Sequence, residues 1–107
     1  MIRNFIKKKG DQFTFSITYP FDVNFTTVEL GIKKAYTDED YIIFVSLGKG
    51  ITKIGDRTYQ IVIPYTEMEK LDYGMYVYDF RVKSGNIPTT PLSGKLIIQE
   101  TVYYKKD

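Results

Sequence analysis

The chain has no cysteine and no histidine. Without cysteine there is neither a disulfide framework nor a thiolate zinc site. Without histidine the commonest general base, the commonest metal ligand and every Ser-His or Cys-His nucleophile arrangement are gone. Tryptophan is also missing, so the aromatic share rests on ten Tyr and seven Phe. No apolar run approaches the roughly 18 residues of a membrane-spanning helix. Charge of one sign is lacking too, since 15 Lys and Arg face 13 Asp and Glu. A net charge of +2 does not imply a nucleic-acid partner. At the start, Met1–Lys9 places its charges after its apolar residues, which does not match an export signal. The expectation is a complete, unexported product with no membrane partner, no metal and no cofactor.

What the chain does have is strand-forming sequence. A length of 107 residues suits one domain with a real core. Tyr, Phe, Ile, Val and Thr favour strands. The most informative stretch is Leu71–Val82, LDYGMYVYDFRV. Asp72-Tyr73-Gly74 signals a turn, after which Tyr76, Tyr78, Phe80 and Val82 alternate with Val77, Asp79 and Arg81. The order Asp-x-Gly-x-Tyr is that of a tyrosine corner. There, a Tyr at the start of a strand donates its hydroxyl to backbone a few residues upstream and pins one end of an immunoglobulin-type sandwich. Tyr78 then stands where antibody domains place a disulfide Cys, so packing must replace the crosslink.

The remaining segments extend this pattern. Arg3–Lys9 reads as an edge strand whose three terminal lysines blunt edge-to-edge pairing. Phe13, Phe15, Ile17 and Tyr19 alternate with Thr14, Ser16 and Thr18, and Pro20 ends the run. Val28, Leu30 and Ile32 point inward from the next strand, where Gly31 marks close backbone approach or a bulge. Tyr41–Leu47 is almost continuously apolar and reads as a buried strand. Gly48-Lys49-Gly50 lacks the spacing, the following Ser or Thr and the helix of a phosphate loop, so it is a connection. Gly55-Asp56 is a two-residue hairpin signal with Gly at the first central position. Thr66–Leu71 is the one helical stretch, with Thr66 as its cap. Leu92–Gln99 is the last full strand. The fold class is all-β: an immunoglobulin-like antiparallel sandwich of about seven to nine strands with one helical turn near 66–71. A partly closed barrel is the alternative. The expected core runs through Phe13, Phe15, Val28, Leu30, Ile43, Tyr59, Ile61, Tyr76, Tyr78, Phe80, Leu96 and Ile98, among others.

Candidate sites are sparse, and no catalytic residue is assigned. Thr37–Asp40 holds three carboxylates, yet a calcium loop needs spaced ligands and a folding Gly. A solvated turn is the better reading. Glu67 and Glu69, two apart on a helix, point different ways and cannot converge on a substrate. Tyr36, Tyr41, Tyr65, Tyr73, Tyr103 and Tyr104 fall at strand ends or loops, where they suit an interface. Residues 1–9 and 100–107 read as interface arms, with Thr101, Val102, Tyr103, Tyr104 and Lys105 as the leading candidates. Asp38, Asp40 and Tyr41 form an alternative cluster for a carbohydrate ligand.

GDQFTFSITYPFDVNFTTVELGIKK, GDRTYQIVIP, LDYGMYVYDFRVKSG and LSGKLIIQETV together resemble a domain type of tailed-bacteriophage virion proteins. That domain type is similar to the N-terminal domains of upper baseplate proteins and to small immunoglobulin-like modules on heads, necks and tails. The likeness runs from Gly10 to about Val102. It implies a non-enzymatic virion subunit that works by assembly with other virion proteins or with its own copies. The chain departs from longer relatives by lacking a coiled or fibrous extension. That favours an accessory, adaptor or decoration subunit over a fibre stalk.

Overall fold

The computed structural model describes residues 1–100. It contains eight strands and one helical turn: β1 (Phe5–Lys8), β2 (Phe13–Thr18), β3 (Thr27–Lys33), β4 (Ile43–Leu47), β5 (Gly50–Lys53), β6 (Thr58–Ile63), α1 (Tyr65–Met68), β7 (Gly74–Ser84) and β8 (Ile87–Gln99). The hydrogen-bonded order is β1-β8-β7-β3-β4-β5-β6-β2. This ribbon bends at the β4–β5 connection, where Gly48 and Gly50 both take positive φ, 87° and 99°. A side chain at Gly50 would also meet Val45 at 2.8 Å, so the bend needs glycine twice over. Beyond it, β5, β6 and β2 form a second layer under β1, β8, β7, β3 and β4. The result is an immunoglobulin-like β-sandwich.

One core joins the layers. Val28, Leu30 and Ile32 of β3 and Tyr76, Tyr78, Phe80 and Val82 of β7 meet Tyr59, Ile61 and Ile63 of β6. The two ends of the ribbon are closed by rings. Phe5 of β1 lies 4.8 Å from Phe13 and 4.9 Å from Phe15 of β2, and 5.7 Å from Tyr78. Offset and edge-on ring pairs at these separations add to area burial. This aromatic cluster does the cross-layer work that a disulfide would do elsewhere. The tyrosine corner is in place: the Tyr76 hydroxyl donates to the Asp72 carbonyl at 3.1 Å. The Tyr78 hydroxyl donates to the Arg3 carbonyl at 2.6 Å, tying β7 to the N-terminal segment.

Several expectations need correction. Two pairings are parallel, β1 with β8 and β4 with β5, within an otherwise antiparallel sandwich. β4 is half-buried rather than buried. Ile43 and Val45 enter the core, while Phe44 points to the opposite, outer face and Leu47 is exposed at the end of the strand. Gly55-Asp56 is not a two-residue turn, and Gly55 has no positive φ. The 54–57 segment is drawn out of a tight turn by bonds to the linker after β2: Tyr19 N–H to Arg57 O at 2.8 Å, Val23 N–H to Asp56 O at 2.9 Å, and Arg57 Nε to Asp22 Oδ1 at 2.8 Å. That turn chemistry appears instead at Gly85-Asn86, between paired Ser84 and Ile87, with Gly85 at φ 63°. The helical turn starts at Tyr65 after Pro64, and no side chain caps it, so Thr66 lies inside.

The largest correction concerns the N-terminal lysines. β1 is an edge strand, as expected, but Lys9 is only 5% exposed. Its ammonium donates to the carbonyls of Glu69 and Leu71, both at 3.0 Å, and stands 3.8 Å from the Asp72 carboxylate. These carbonyls close the turn after α1, where helix ends leave acceptors open. Residues 1–9 are therefore woven into the sandwich through β8 and the turn after α1. Gly94 makes room for them, since a side chain there would collide with the Arg3 carbonyl. Thr101, Val102, Tyr103, Tyr104 and Lys105 lie outside the described residues.

Candidate interaction surface

The outer face of β3, β4 and β7 carries the most organised exposed aromatic group. Gly31, on β3, pairs with Phe44 on one side and Asp79 on the other. It has no side chain, and the Tyr41 ring lies across the gap so closely that a Cβ at Gly31 would collide with it. The anticipated close approach at Gly31 is thus made by a ring. Tyr41 also packs against Phe44, centroids 5.1 Å apart, and the Lys33 ammonium sits 4.8 Å from its ring centroid. Cation–π attraction at that distance is favourable at a surface site. A small depression beside Tyr41 is bounded by Lys33, Tyr36, Val77 and Asp79. Tyr36, Tyr41 and Phe44 remain 59%, 52% and 47% exposed.

The loop that carries Tyr41 is fixed by its own hydrogen bonds. Asp38 Oδ2 accepts the Ala35 N–H at 3.0 Å, and the Asp38 N–H returns to the Ala35 carbonyl at 3.1 Å. Lys33 Nζ donates to the Asp38 carbonyl at 2.7 Å. Side-chain acceptors of this kind stabilise short turns. The loop ends where the Ile42 N–H rejoins the Ile32 carbonyl at 2.8 Å.

The structure therefore separates the sequence-predicted cluster into distinct roles. Asp38 is a turn-forming acceptor, Tyr41 is a packed but exposed ring, and Asp40 is exposed. Among the described residues, no group of three or more His, Cys, Asp or Glu is placed to hold a metal ion. Sequence reading missed Lys33 and Phe44 as parts of the surface. The signal was present in Gly31, because a glycine in mid-strand implies that something else covers that spot. Of the other loop tyrosines, Tyr65 is 57% exposed, while Tyr73 packs against the core. No helix among the described residues is long and apolar enough to cross a membrane.

No family model and no curated protein sequence matches the chain. Solved structures similar to it include the NK cell receptor NKp44, at 13% identity and a TM-score of 0.48, covering 94% of this chain and 99% of that one. The extracellular domain of the voltage-gated sodium channel β4 subunit is 11% identical with a TM-score of 0.49, covering 94% and 93%. The second Ig domain of the mouse polymeric immunoglobulin receptor is 10% identical with a TM-score of 0.45, covering 97% and 100%. The immunoglobulin-like assignment itself rests on the strand order, the shared core and the tyrosine corner.

Proposed function

We propose that this chain is a non-enzymatic interaction module that works as a structural subunit of a larger assembly. The observation that carries this reading is the Tyr36–Tyr41–Phe44 surface: large rings held in place by Gly31, Lys33 and the Asp38 turn, yet left half open to solvent. Rigid, partly exposed aromatics give contact area at low entropic cost, and interface cores are rich in them. The segment resemblance supplies the setting, the virion of a tailed bacteriophage, with an accessory, adaptor or decoration role. In that setting Thr101–Lys105 act as an additional contact arm. Mass spectrometry of purified particles tests the setting, and a chain absent from the particle sinks it. Replacing Phe44 with Asp should leave the chain folded, with a modestly lower Tm, and lower incorporation at least several-fold. Undiminished incorporation would remove this surface from the reading.

A carbohydrate-binding module is the second reading, and Tyr41 beside Asp38 and Asp40 is what favours it. The geometry supports it less. The Lys33 ammonium stands over the Tyr41 ring and the Asp38 carboxylate is engaged by the Ala35 N–H, so the cluster offers a sugar fewer free polar groups than its sequence suggests. A glycan-array signal abolished by Tyr41→Ala would reverse this preference.

A further inference from the structure

The two ends of the strand order are defended differently. β1, at one end, carries Lys7 and Lys8, which discourage a further strand. β2, at the other end, reads FTFSIT, with no charge, no proline and no bulge. Its single neighbour among the described residues is β6.

The direction of its free backbone groups follows from register. Tyr19 N–H donates to Arg57 O at 2.8 Å, continuing the register in which Ile17 faces Tyr59 and Phe15 faces Ile61. In an antiparallel ladder, residues alternate between bonding the neighbour and pointing away from it. The odd-numbered residues therefore bond β6, and Thr14, Ser16 and Thr18 turn their N–H and C=O groups to the open edge. The side chains of these three residues are exposed and uncharged. A groove of about 350 Å³ runs beside this edge, bounded by Arg3 as well as by Met1, Ile17, Tyr19, Pro91 and Leu92.

We infer that the β2 edge is a self-association site that takes the β2 strand of a second copy, antiparallel, across a twofold axis. The inference builds on the assembly reading and names one partner for it. The register is dictated by which residues carry outward groups. Ser16 faces Ser16 of the other copy, and Thr14 faces Thr18 in both directions. That gives about six backbone hydrogen bonds. The next facing pair would be Gln12 with Pro20, and proline has no N–H to give, so the ladder stops there. Every facing pair along β2 is neutral, and Thr and Ser pairs are favourable across strands. The same pairing on the lysine-bearing β1 edge would oppose cations. A second copy beside the edge also covers the apolar side chains of the groove, Ile17, Tyr19 and Leu92 among them.

The absence of cysteine gives a clean test on the full chain. Directly facing residues of a hydrogen-bonded pair have Cα atoms about 5.5 Å apart, within disulfide range. Under mild oxidation Ser16→Cys should form covalent dimers several-fold faster than Thr52→Cys, which lies on the same outer face one strand beyond β6. A mixture of Thr14→Cys and Thr18→Cys chains should cross-link to each other more than either does to itself. Ser16→Pro removes an outward N–H that β6 does not use, so it should remain folded and sediment as a monomer over a concentration series in which the wild type dimerises. Should that variant fold poorly, Ser16→Lys tests the same pairing by charge repulsion. Equal cross-linking at positions 16 and 52, or a dimer that survives both substitutions, overturns the proposal. Particle incorporation that persists in such a case would show that only the β2 pairing had failed and that the assembly reading stands.

Discussion

Replacing Lys9 by Met should be among the most damaging changes at any charged position of the chain. Methionine keeps most of the aliphatic volume and removes the ammonium, so the experiment isolates the polar contacts. The Leu71 carbonyl is buried and loses a donor, which costs about 1–3 kcal/mol. The Glu69 carbonyl is only partly buried and can recover a water, so its share is below about 1 kcal/mol. The ion pair with Asp72 contributes little, because the carboxylate is 74% exposed and 3.8 Å away. Lys9→Met should therefore lose about 1–4 kcal/mol, and for a domain of this size that lowers Tm by roughly 5–20 °C. Asp72→Asn should lose less than about 1 kcal/mol. Urea unfolding followed by far-UV circular dichroism or tyrosine emission would give both values, provided the m-value stays constant. A Lys9→Met variant within about 0.5 kcal/mol of wild type would refute the view that this ammonium closes the turn after α1. So would an Asp72→Asn variant that loses as much as Lys9→Met, since the carboxylate would then be the principal partner.

Three further outcomes follow from the same geometry. Tyr76→Phe should lose about 1 kcal/mol through the missing bond to the Asp72 carbonyl, and an unchanged urea midpoint would count against the corner. Burial pushes the Tyr78 hydroxyl up to about 12, with the Arg3 guanidinium opposing. The folded chain thus holds a proton that the unfolded chain releases near pH 10. Stability from this group is complete below about pH 10 and is lost as pH climbs toward about 12. Tyr78→Phe should flatten the fall in stability between about pH 10 and about pH 12, and an unaltered slope would refute the assignment. Gly31→Ala should lose about 1–3 kcal/mol by displacing the Tyr41 ring, and a Tyr41→Ala background should recover part of that loss.

Sequence periodicity was enough to define the strands and most of the core. Phe13, Phe15, Val28, Leu30, Tyr78 and Phe80 are buried as their alternation requires, because a strand with one covered face leaves its side chains no other choice. The tyrosine corner was legible for a similar reason: the Asp-x-Gly-x-Tyr spacing and the bond it makes are local, with Tyr76 reaching Asp72 four residues back. The candidate surface was legible only in fragments. Tyr41 stood out, but its seat on Gly31 and its contact with Phe44 and Lys33 depend on how the loop after β3 returns to the sheet.

What tertiary structure alone decided was partnership across long separations in the chain. Lys9 looked like its two predecessors in sequence, yet the packing of β1 against β8 carries it beneath the turn that follows α1, more than sixty residues away. The 54–57 segment carried a hairpin signal, and contacts to the linker after β2 outweighed it. That β2 ends the strand order among the described residues is a property of the whole sheet, which no single strand encodes. Local sequence fixes which residues extend and which face inward, because those depend on near neighbours. Which edge stays open, and which charge is buried, depend on the closure of the two layers around one core.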